Sequence, residues 1–141
     1  MNAPLYTTEI LRLAASLPEP RPPDRVDGEA EQRSPTCGST VRLRVQLDEE
    51  GHVAAISQQV HACAFGQASA SLLASGAANR SRDDVRTAVD DLTAWLAGDR
   101  EDAGEWPGLS ALAPARSRKP RHGAILIPFK ALLAAMQASG K

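Results

Sequence analysis

The chain lacks the features that mark membrane proteins and nucleic-acid binders. No apolar run approaches the length needed to cross a bilayer, and the first residues lack the basic segment and apolar stretch of a signal peptide. The 141 residues carry 16 Lys and Arg against 17 Asp and Glu, so the charges nearly balance. A near-neutral chain does not favour nucleic acid or a membrane surface as a partner. We therefore expect a cytoplasmic protein with neither kind of partner.

The sequence also lacks the short motifs of several enzyme classes. It has no Gly-rich phosphate loop and no nucleophilic-serine motif. The acidic pairs Asp83-Asp84 and Asp90-Asp91 have the spacing of an exposed helix face rather than of a catalytic pair. The basic run Arg116–Arg121 lacks interleaved aromatic residues for base stacking. We interpret this run as a solvated loop or as a patch for an acidic protein partner.

Cysteine is scarce, and the two cysteines are where chemistry is expected. In a cytoplasmic chain two cysteines are more often free thiols or metal ligands than a disulfide, although free cysteines also serve as small buried residues. Cys37 lies between Pro35 and Gly38, which stiffen the backbone before the sulfur and let it turn closely after it. Cys63 precedes a predicted helix, whose N-terminus favours a thiolate.

Three histidines are further candidates for ligands. His122 lies just before the last predicted helix, where it is either part of the solvated basic loop or a ligand. His52 and His61 flank the second predicted strand, and ordinary surface or packed histidines are the commoner case there. His61 is two residues from Cys63, so both side chains leave the same side of an extended backbone.

Hydrophobic periodicity divides the chain into a strand pair and several helices. Strict alternation of apolar and polar residues predicts strands, recurrence at every third and fourth residue predicts helices, and runs of proline exclude helices. The predicted elements are a helix over Tyr6–Leu17 capped by Thr7 or Thr8, an extended connector over 18–34, strands over Thr40–Leu47 and Val53–Val60 joined by a turn at Asp48–Gly51, and helices over Gln67–Ala78, from the Ser81 and Asp84 capping box to Gly98, and over Ile125–Ala138.

Two regions complete this interpretation. Residues 104–119 are predicted as a loop with about one turn of helix, since Pro107 and Pro114 interrupt them. Pro128 is placed in the first turn of the last helix, where its missing N–H does no harm. The order of elements predicts an α+β fold, in which a small antiparallel sheet based on a hairpin packs against several helices. The length suits one domain.

The two cysteine segments resemble a known pair of motifs. The segment Ser34–Ser39 (S-P-T-C-G-S) is similar to N-P-x-C-G-D, and Ala62–Ser71 (A-C-A-F-G-Q-A-S-A-S) is similar to G-C followed by a helix of small residues. Both motifs are typical of the IscU/NifU-like iron–sulfur cluster assembly scaffold family. The spacing of the cysteines and the places of the first and last helices agree. The resemblance implies that residues 1–141 form a single NifU-like N-terminal domain.

The resemblance also implies a site, which this chain carries incompletely. Family members bind a cluster or a zinc ion through three cysteines, an Asp and sometimes a His. Cys37 and Cys63 match two of the cysteines, and Ser39 stands in the place of the Asp. The third cysteine is absent: alignment on the last helix puts Ala124 in its place. Alignment on the family's His-Cys pair puts Gly123 there instead, and His122 then keeps a ligand position.

The cofactor-binding and metal-binding residues expected from the resemblance are Cys37, Cys63 and His122. A 2Fe–2S cluster or a zinc ion takes four ligands, so a fourth would come from water, Ser39, a carboxylate or a second chain. A second chain would make the protein a homo-oligomer. Such a set predicts a labile site that binds iron, a cluster or zinc transiently.

The favoured hypothesis is a scaffold or accessory protein for iron–sulfur cluster assembly, not an enzyme. Its partners would be a cysteine desulfurase, which supplies sulfur, and the apo-proteins that receive the cluster. A second hypothesis is a sulfur acceptor, in which one thiolate takes persulfide sulfur from a desulfurase. A third is an interaction module of the same fold that has lost its metal chemistry. Because function resides in the site and not in the fold, the missing ligands affect all three hypotheses but not the fold.

Overall fold

A three-stranded antiparallel sheet and four α-helices make up the part of the chain that the computed structural model describes, residues 6–35 and 38–139. The elements are α1 (Thr8–Ala15), β1 (Gly28–Arg33), β2 (Thr40–Leu47), β3 (Val53–His61), α2 (Ala64–Gly76), α3 (Arg82–Leu96), a 3-10 helix (Leu109–Ala115) and α4 (Lys119–Ala138). This arrangement confirms the α+β class. Over the described ranges, no helix has the length and apolar character required of a membrane span.

The sheet has the order β1-β2-β3, so the strongly alternating β2 is its central strand. The apolar residues of β2 are all buried, whereas its arginines face the other side of the sheet. In the register of the two hairpins, Thr40 lies opposite both Arg33 on β1 and His61 on β3. The end of β1, the start of β2 and the end of β3 therefore meet at one edge of the sheet.

Helix α4 is the element that organises the core. It packs across β1 and β2 on the buried face of the sheet, and α2 and α3 pack against its flanks. Its backbone comes so close to β1 that a Cβ on Gly28 would overlap the carbonyl oxygen of Ala135. Phe129 and Leu132 of α4 are fully buried in this core, together with Phe65 of α2. The start of α4 is thereby fixed over the sheet edge where the strands meet.

Several local predictions are confirmed. Thr7 caps α1, with its hydroxyl accepting from the Ile10 amide at 3.1 Å. Ser81 and Asp84 form the reciprocal capping box at the start of α3. Gly51 and Gly98 take positive φ angles of 84° and 86°, as the turn after β2 and the end of α3 require.

Other predictions are wrong. The connector over 18–34 contains β1, whose polar sequence gives no alternating signal and whose strand form depends on pairing with β2. Helix α4 begins at Lys119 rather than Ile125, so Pro120 occupies its first turn and Pro128 lies in its interior. Pro128 is buried there, and tertiary packing outweighs its low helix propensity. Helix α2 begins at Ala64 rather than Gln67.

Candidate functional site

Cys63 is fixed between a strand and a helix. Strand β3 ends at His61 and α2 begins at Ala64, which makes Cys63 the N-cap residue of α2 with an extended backbone. Its carbonyl oxygen accepts from the Gln67 amide at 2.9 Å, and the Gln67 side-chain amide donates to the Ala62 carbonyl at 3.0 Å. The thiol is free and half-buried. The small connection therefore holds one thiol at the sheet edge, at the N-terminus of a helix.

The other cysteine belongs to the turn between β1 and β2, which we call the cysteine turn (residues 34–39). Thr36 and Cys37 lie outside the described residues. Around them, the Ser34 amide donates to the Ser39 carbonyl at 2.8 Å, and the Gly38 amide donates to the Ser34 carbonyl at 2.9 Å. Gly38 has a φ of 71°, which glycine adopts without strain. These bonds join the described ends of the turn, Ser34 on one side and Gly38 and Ser39 on the other.

The sheet register brings the two cysteine motifs to one place. Thr40 directly follows the cysteine turn, and His61 lies two residues before Cys63. Since Thr40 and His61 are paired across β2 and β3, the turn and the Cys63 connection are neighbours at the same edge. His52 lies at the opposite end of this hairpin, beside the turn at Gly51. It is therefore not part of this site.

The first turns of α4 touch both motifs. A Cβ built on Gly123 would overlap the Ser34 hydroxyl and lie 3.2 Å from the Ser34 Cβ, so this helix position faces the cysteine turn. The next residue, Ala124, is fully buried against the start of α2, 3.3 Å from where a Cβ on Gly66 would lie. Of the two places considered for a third cysteine, Gly123 is therefore the one directed at the cysteine turn.

His122 lies within α4 and not before it, and its ring is anchored. Its Nε2 is 2.9 Å from the Ala115 carbonyl oxygen and 3.1 Å from that of Arg116, at the end of the 3-10 helix. Carbonyl oxygens only accept, so we assign the hydrogen of the neutral ring to Nε2. Nδ1 is then the nitrogen with a lone pair. Metal-bound histidines usually donate their other N–H to such a carbonyl or a carboxylate.

The basic run is only partly solvated. Arg116 donates from Nε to the Trp95 carbonyl and from Nη2 to the Arg100 carbonyl, both at 2.9 Å, and its guanidinium lies 5.1 Å from the Trp95 ring centroid. It is a structural residue that holds the 3-10 helix against α3. Arg118 and Lys119 are exposed beside the start of α4.

The described residues do not by themselves form a metal site. Across residues 6–35 and 38–139, no three His, Cys, Asp or Glu side chains lie close enough to hold a metal ion. Cys63 and His122 are therefore not members of a three-donor group within the described ranges. Ser39, in the place of the family's Asp, is buried. Zinc in structural sites takes four protein ligands, which these residues do not supply.

The sequence places Ser34 and Ser69 in the two cysteine motifs and gives Gly123 as one place for the missing cysteine, but it does not predict the contacts that these three residues make. The Ser69 hydroxyl donates to the Ile125 carbonyl at 2.6 Å and ties α2 to α4 close to the site. The run of small residues in α2 was the available signal, because small side chains let two helix backbones approach closely. The contact between Ser34 and Gly123 left no comparable signal.

The comparisons place the chain in a family. The family model described as NifU-like N terminal domain matches residues 15–101, more than half of the chain, and the protein belongs to that family. The match includes both cysteine motifs and ends before His122. No curated protein matches the sequence.

Solved structures share the fold. A crystal structure of a nitrogen-fixing NifU-like protein (N-terminal) from Brucella abortus is 28% identical, covers 96% of this chain and 94% of that chain, and has a TM-score of 0.88. A putative iron–sulfur cluster assembly scaffold protein for the SUF system from Fervidobacterium islandicum AW-1 is 17% identical, covers 94% and 96%, and has a TM-score of 0.81. At 17% identity the second likeness shows the fold alone.

Proposed function

We propose that this protein is a scaffold or accessory protein for iron–sulfur cluster assembly, which carries a cluster as cargo at Cys37, Cys63 and His122. The observation that carries the proposal is the meeting of three motifs at one sheet edge. Thr40 pairs with His61, which joins the two cysteine motifs, and Gly123 touches Ser34, which brings α4 to them. Membership of the NifU-like family supports the same role.

The chemistry of these donors suits binding followed by release. Thiolates are the usual ligands of iron in clusters, and imidazole is the known substitute. Cys63 stands at the N-terminus of the 13-residue helix α2, where unpaired amide groups favour a negative charge. Two thiolates and the Nδ1 of His122 leave one ligand of a 2Fe–2S cluster to be supplied from outside. A cluster held in this way is open to exchange.

The role requires two partners. A cysteine desulfurase would supply sulfur to the thiolates, and an apo-protein would receive the finished cluster. The protein itself would bind and release cargo without turning over a substrate, so it would not act as an enzyme. A ligand from the receiving protein, or from a second copy of this chain, would fill the open position during transfer.

Anaerobic reconstitution with ferrous iron and sulfide, read by visible absorption, tests this proposal. We expect a cluster chromophore in the wild type, its loss in Cys37→Ser and Cys63→Ser, and a weaker or less stable chromophore in His122→Ala. His61→Ala is the matched control, since this exposed histidine lies two residues from Cys63 and outside the proposed set. A folded wild type without a chromophore, or an unchanged chromophore in Cys63→Ser, would contradict the proposal.

A second possible role for the same site is to accept sulfur from a cysteine desulfurase without binding iron. The half-buried, free thiol of Cys63 at a helix N-terminus favours it, because a persulfide needs one thiolate and no further ligands. Incubation with a cysteine desulfurase and cysteine, followed by intact mass measurement, separates the two roles. One added sulfur atom on Cys37 or Cys63, in a protein that takes up no iron, would favour the acceptor. A protein that takes up neither sulfur nor iron would instead be the third hypothesis, an interaction module without metal chemistry.

A further inference from the structure

Strand β3 forms one edge of the sheet, and some of its backbone groups point away from the other strands. The carbonyl oxygen of Val45 accepts from the Asp27 amide at 2.8 Å, so the backbone groups of Val45 face β1. Because these groups alternate along an antiparallel strand, every second residue of β2 faces β1, and the β3 residues opposite them face outward. Gln58 and Val60 are two such residues. Across the described ranges, 6–35 and 38–139, no hydrogen bond reaches their outward N–H and C=O groups.

The proline-rich connector crosses this edge without pairing with it. Residues 17–20 and 58–61 line an open cavity of about 510 Å³ between the connector and β3, which we call the edge slot. Two of the four connector residues in the slot are prolines, which have no N–H to donate. Pro20 lies beside Gln59 on the far face of the sheet, so the connector passes around the edge from α1 to that face. The connector therefore walls the slot but does not serve as a fourth strand.

Gln58 adds a buried acceptor to the edge slot. Its side chain donates from Nε2 to the Ala70 carbonyl at 3.0 Å, whereas its Oε1 is buried and has no partner among the described residues. The residue as a whole is 6% exposed. A buried acceptor without a donor costs free energy, so a ligand that brings an N–H group to it gains more than an exposed hydrogen bond would give. Gln58 thus offers this oxygen in addition to its backbone groups.

The side chains of the edge slot favour an occupant with one apolar and one basic face. Leu17, Pro18 and Val60 are apolar, and the exposed Glu19 is the one Asp, Glu, Lys or Arg among the residues that line the slot. Residues opposite each other on neighbouring strands direct their side chains to the same face of a sheet. A segment bonded to Val60 would therefore direct its bonded residues to the buried face and the residues between them to the far face. Apolar residues suit the first places, and basic residues near Glu19 suit the second.

We propose that the edge slot binds an extended peptide segment of a partner protein, in which apolar residues alternate with basic ones. The segment would add a fourth strand to the sheet beside β3. A second copy of this chain fits less well, because its folded sheet would meet the connector, whereas one strand fits behind it. The slot ends at His61, two residues before Cys63, so a bound segment would hold its protein beside the candidate site. The proposal does not rest on the scaffold role, since it uses neither thiol.

Amide exchange of the free protein, followed by NMR, tests the edge first. The amides of Ser57 and Gln59 face β2 and should be protected, whereas those of Gln58 and Val60 should exchange about tenfold faster or more. Equal protection of all four amides in the free protein would show that the edge is not open, and it would overturn the proposal.

Titration of the full chain with the peptide acetyl-Val-Lys-Val-Lys-Val-amide tests the occupant. We expect saturable shifts of the Gln58 and Val60 amide resonances, slower exchange of both amides, and a Kd below about 1 mM. Methylation of the valine backbone nitrogens removes the N–H groups that would face β3 and should weaken binding about tenfold or more. Methylation of the lysine backbone nitrogens is the matched control and should change the Kd by less than about threefold. Equal effects of the two methylations would rule out strand addition.

Glu19→Gln tests the basic character of the segment. At low salt it should weaken the lysine peptide about threefold, and it should leave a peptide with serines in place of the lysines unchanged. Glu49→Gln, at an exposed carboxylate in the turn at the other end of β3, is the control and should affect neither peptide. Equal effects of Glu19→Gln on both peptides would contradict the basic face.

Two further outcomes would overturn the proposal. One is a folded protein in which the peptide gives no saturable shift. The other is a dimer, seen by light scattering, in which the Gln58 and Val60 amides are protected without peptide, since the edge would then belong to a second copy. Peptide binding by a protein that takes up no cluster would leave the edge slot standing and would count against the scaffold role alone.

Discussion

The hydroxyl of Ser69 donates to the carbonyl oxygen of Ile125 at 2.6 Å, inside the contact between α2 and α4. Both helices bear on the candidate site, α2 through Cys63 at its N-terminus and α4 through His122 and Gly123. This bond adds a buried polar contact to the apolar packing between the two helices. The bond also joins the second cysteine motif, which contains Ser69, to the helix that carries His122.

Loss of this bond should destabilise the protein measurably. Ser69→Ala leaves a buried carbonyl with one partner fewer, and we expect the free energy of unfolding to fall by about 1 kcal/mol. Urea unfolding followed by circular dichroism measures this change. Ser71→Ala, at another buried serine of α2, is the matched control and should have a smaller effect. Equal losses for the two variants would show that the Ser69 bond adds nothing.

The capping box of α3 should make part of the stability depend on pH. The Ser81 amide donates to the Asp84 carboxylate at 3.0 Å, and this bond is the main cause that lowers the pKa of Asp84 below its ordinary value of 3.8. A lowered folded-state pKa stabilises the fold above the unfolded-state value, and the contribution is lost as the pH falls through the folded value.

Asp84→Ala should accordingly destabilise the protein at pH 7, and its deficit relative to the wild type should shrink below pH 4 or so. Thermal unfolding from pH 7 to pH 2.5 or so gives this difference directly. Asp83→Ala, in the same helical turn but outside the capping box, is the control for the loss of one acidic side chain at this helix end. A deficit for Asp84→Ala that stayed constant with pH would contradict the account.

His122 should be found as one tautomer. With Nε2 directed at the carbonyls of Ala115 and Arg116, we expect the neutral ring to carry its hydrogen on Nε2. Long-range nitrogen–proton NMR correlations of the imidazole rings report this state, and the exposed His61 serves as the internal reference. A hydrogen on Nδ1 would mean that Nε2 is not the donor, and it would remove Nδ1 as a metal-binding atom.

The end of α2 should not tolerate a larger residue. A Cβ on Gly76 would lie 2.5 Å from the Nε1 of Trp106, whose N–H donates to the Leu72 carbonyl at 2.9 Å. We expect Gly76→Ala to cost about 1–3 kcal/mol of unfolding free energy, although alanine is usually the better helix residue. Chemical denaturation with Trp fluorescence measures it. Ser75→Ala, at the exposed neighbour, is the control: it removes only the bond from the Ser75 hydroxyl to the Leu72 carbonyl at 3.0 Å and should cost less than Gly76→Ala.

The predictable parts of the molecule are those that local pattern decides. The alternation of β2, the capping box of α3 and the two cysteine motifs were all identified from the sequence. β1 was not, because its residues have no apolar alternation and its form depends on pairing with β2. The start of α4 was placed too late, since Pro120, Gly123 and Pro128 disfavour a helix that tertiary packing nevertheless stabilises.

In the candidate site, too, local motifs were predictable and contacts between distant residues were not. Cys37, Cys63 and His122 were named from motifs, and the structure shows that the motifs around the two cysteines meet. The contact between Ser34 and Gly123 joins residues far apart in the chain, so no local pattern could predict it. It also distinguishes Gly123 from Ala124 as the place facing the cysteine turn, which the sequence left open.

Pro128 divides α4 into a first part beside the cysteine turn and a second part that packs on the sheet. A proline has no amide hydrogen for the carbonyl of Ala124 one turn earlier, so the helix ladder is broken between the part beside the cysteine turn and the part that covers the sheet. We expect the amides of residues 121–127 to exchange with deuterium sooner than those of residues 129–138. Earlier exchange there would show that the part of α4 that carries His122 and Gly123 opens more readily than the part that covers the sheet.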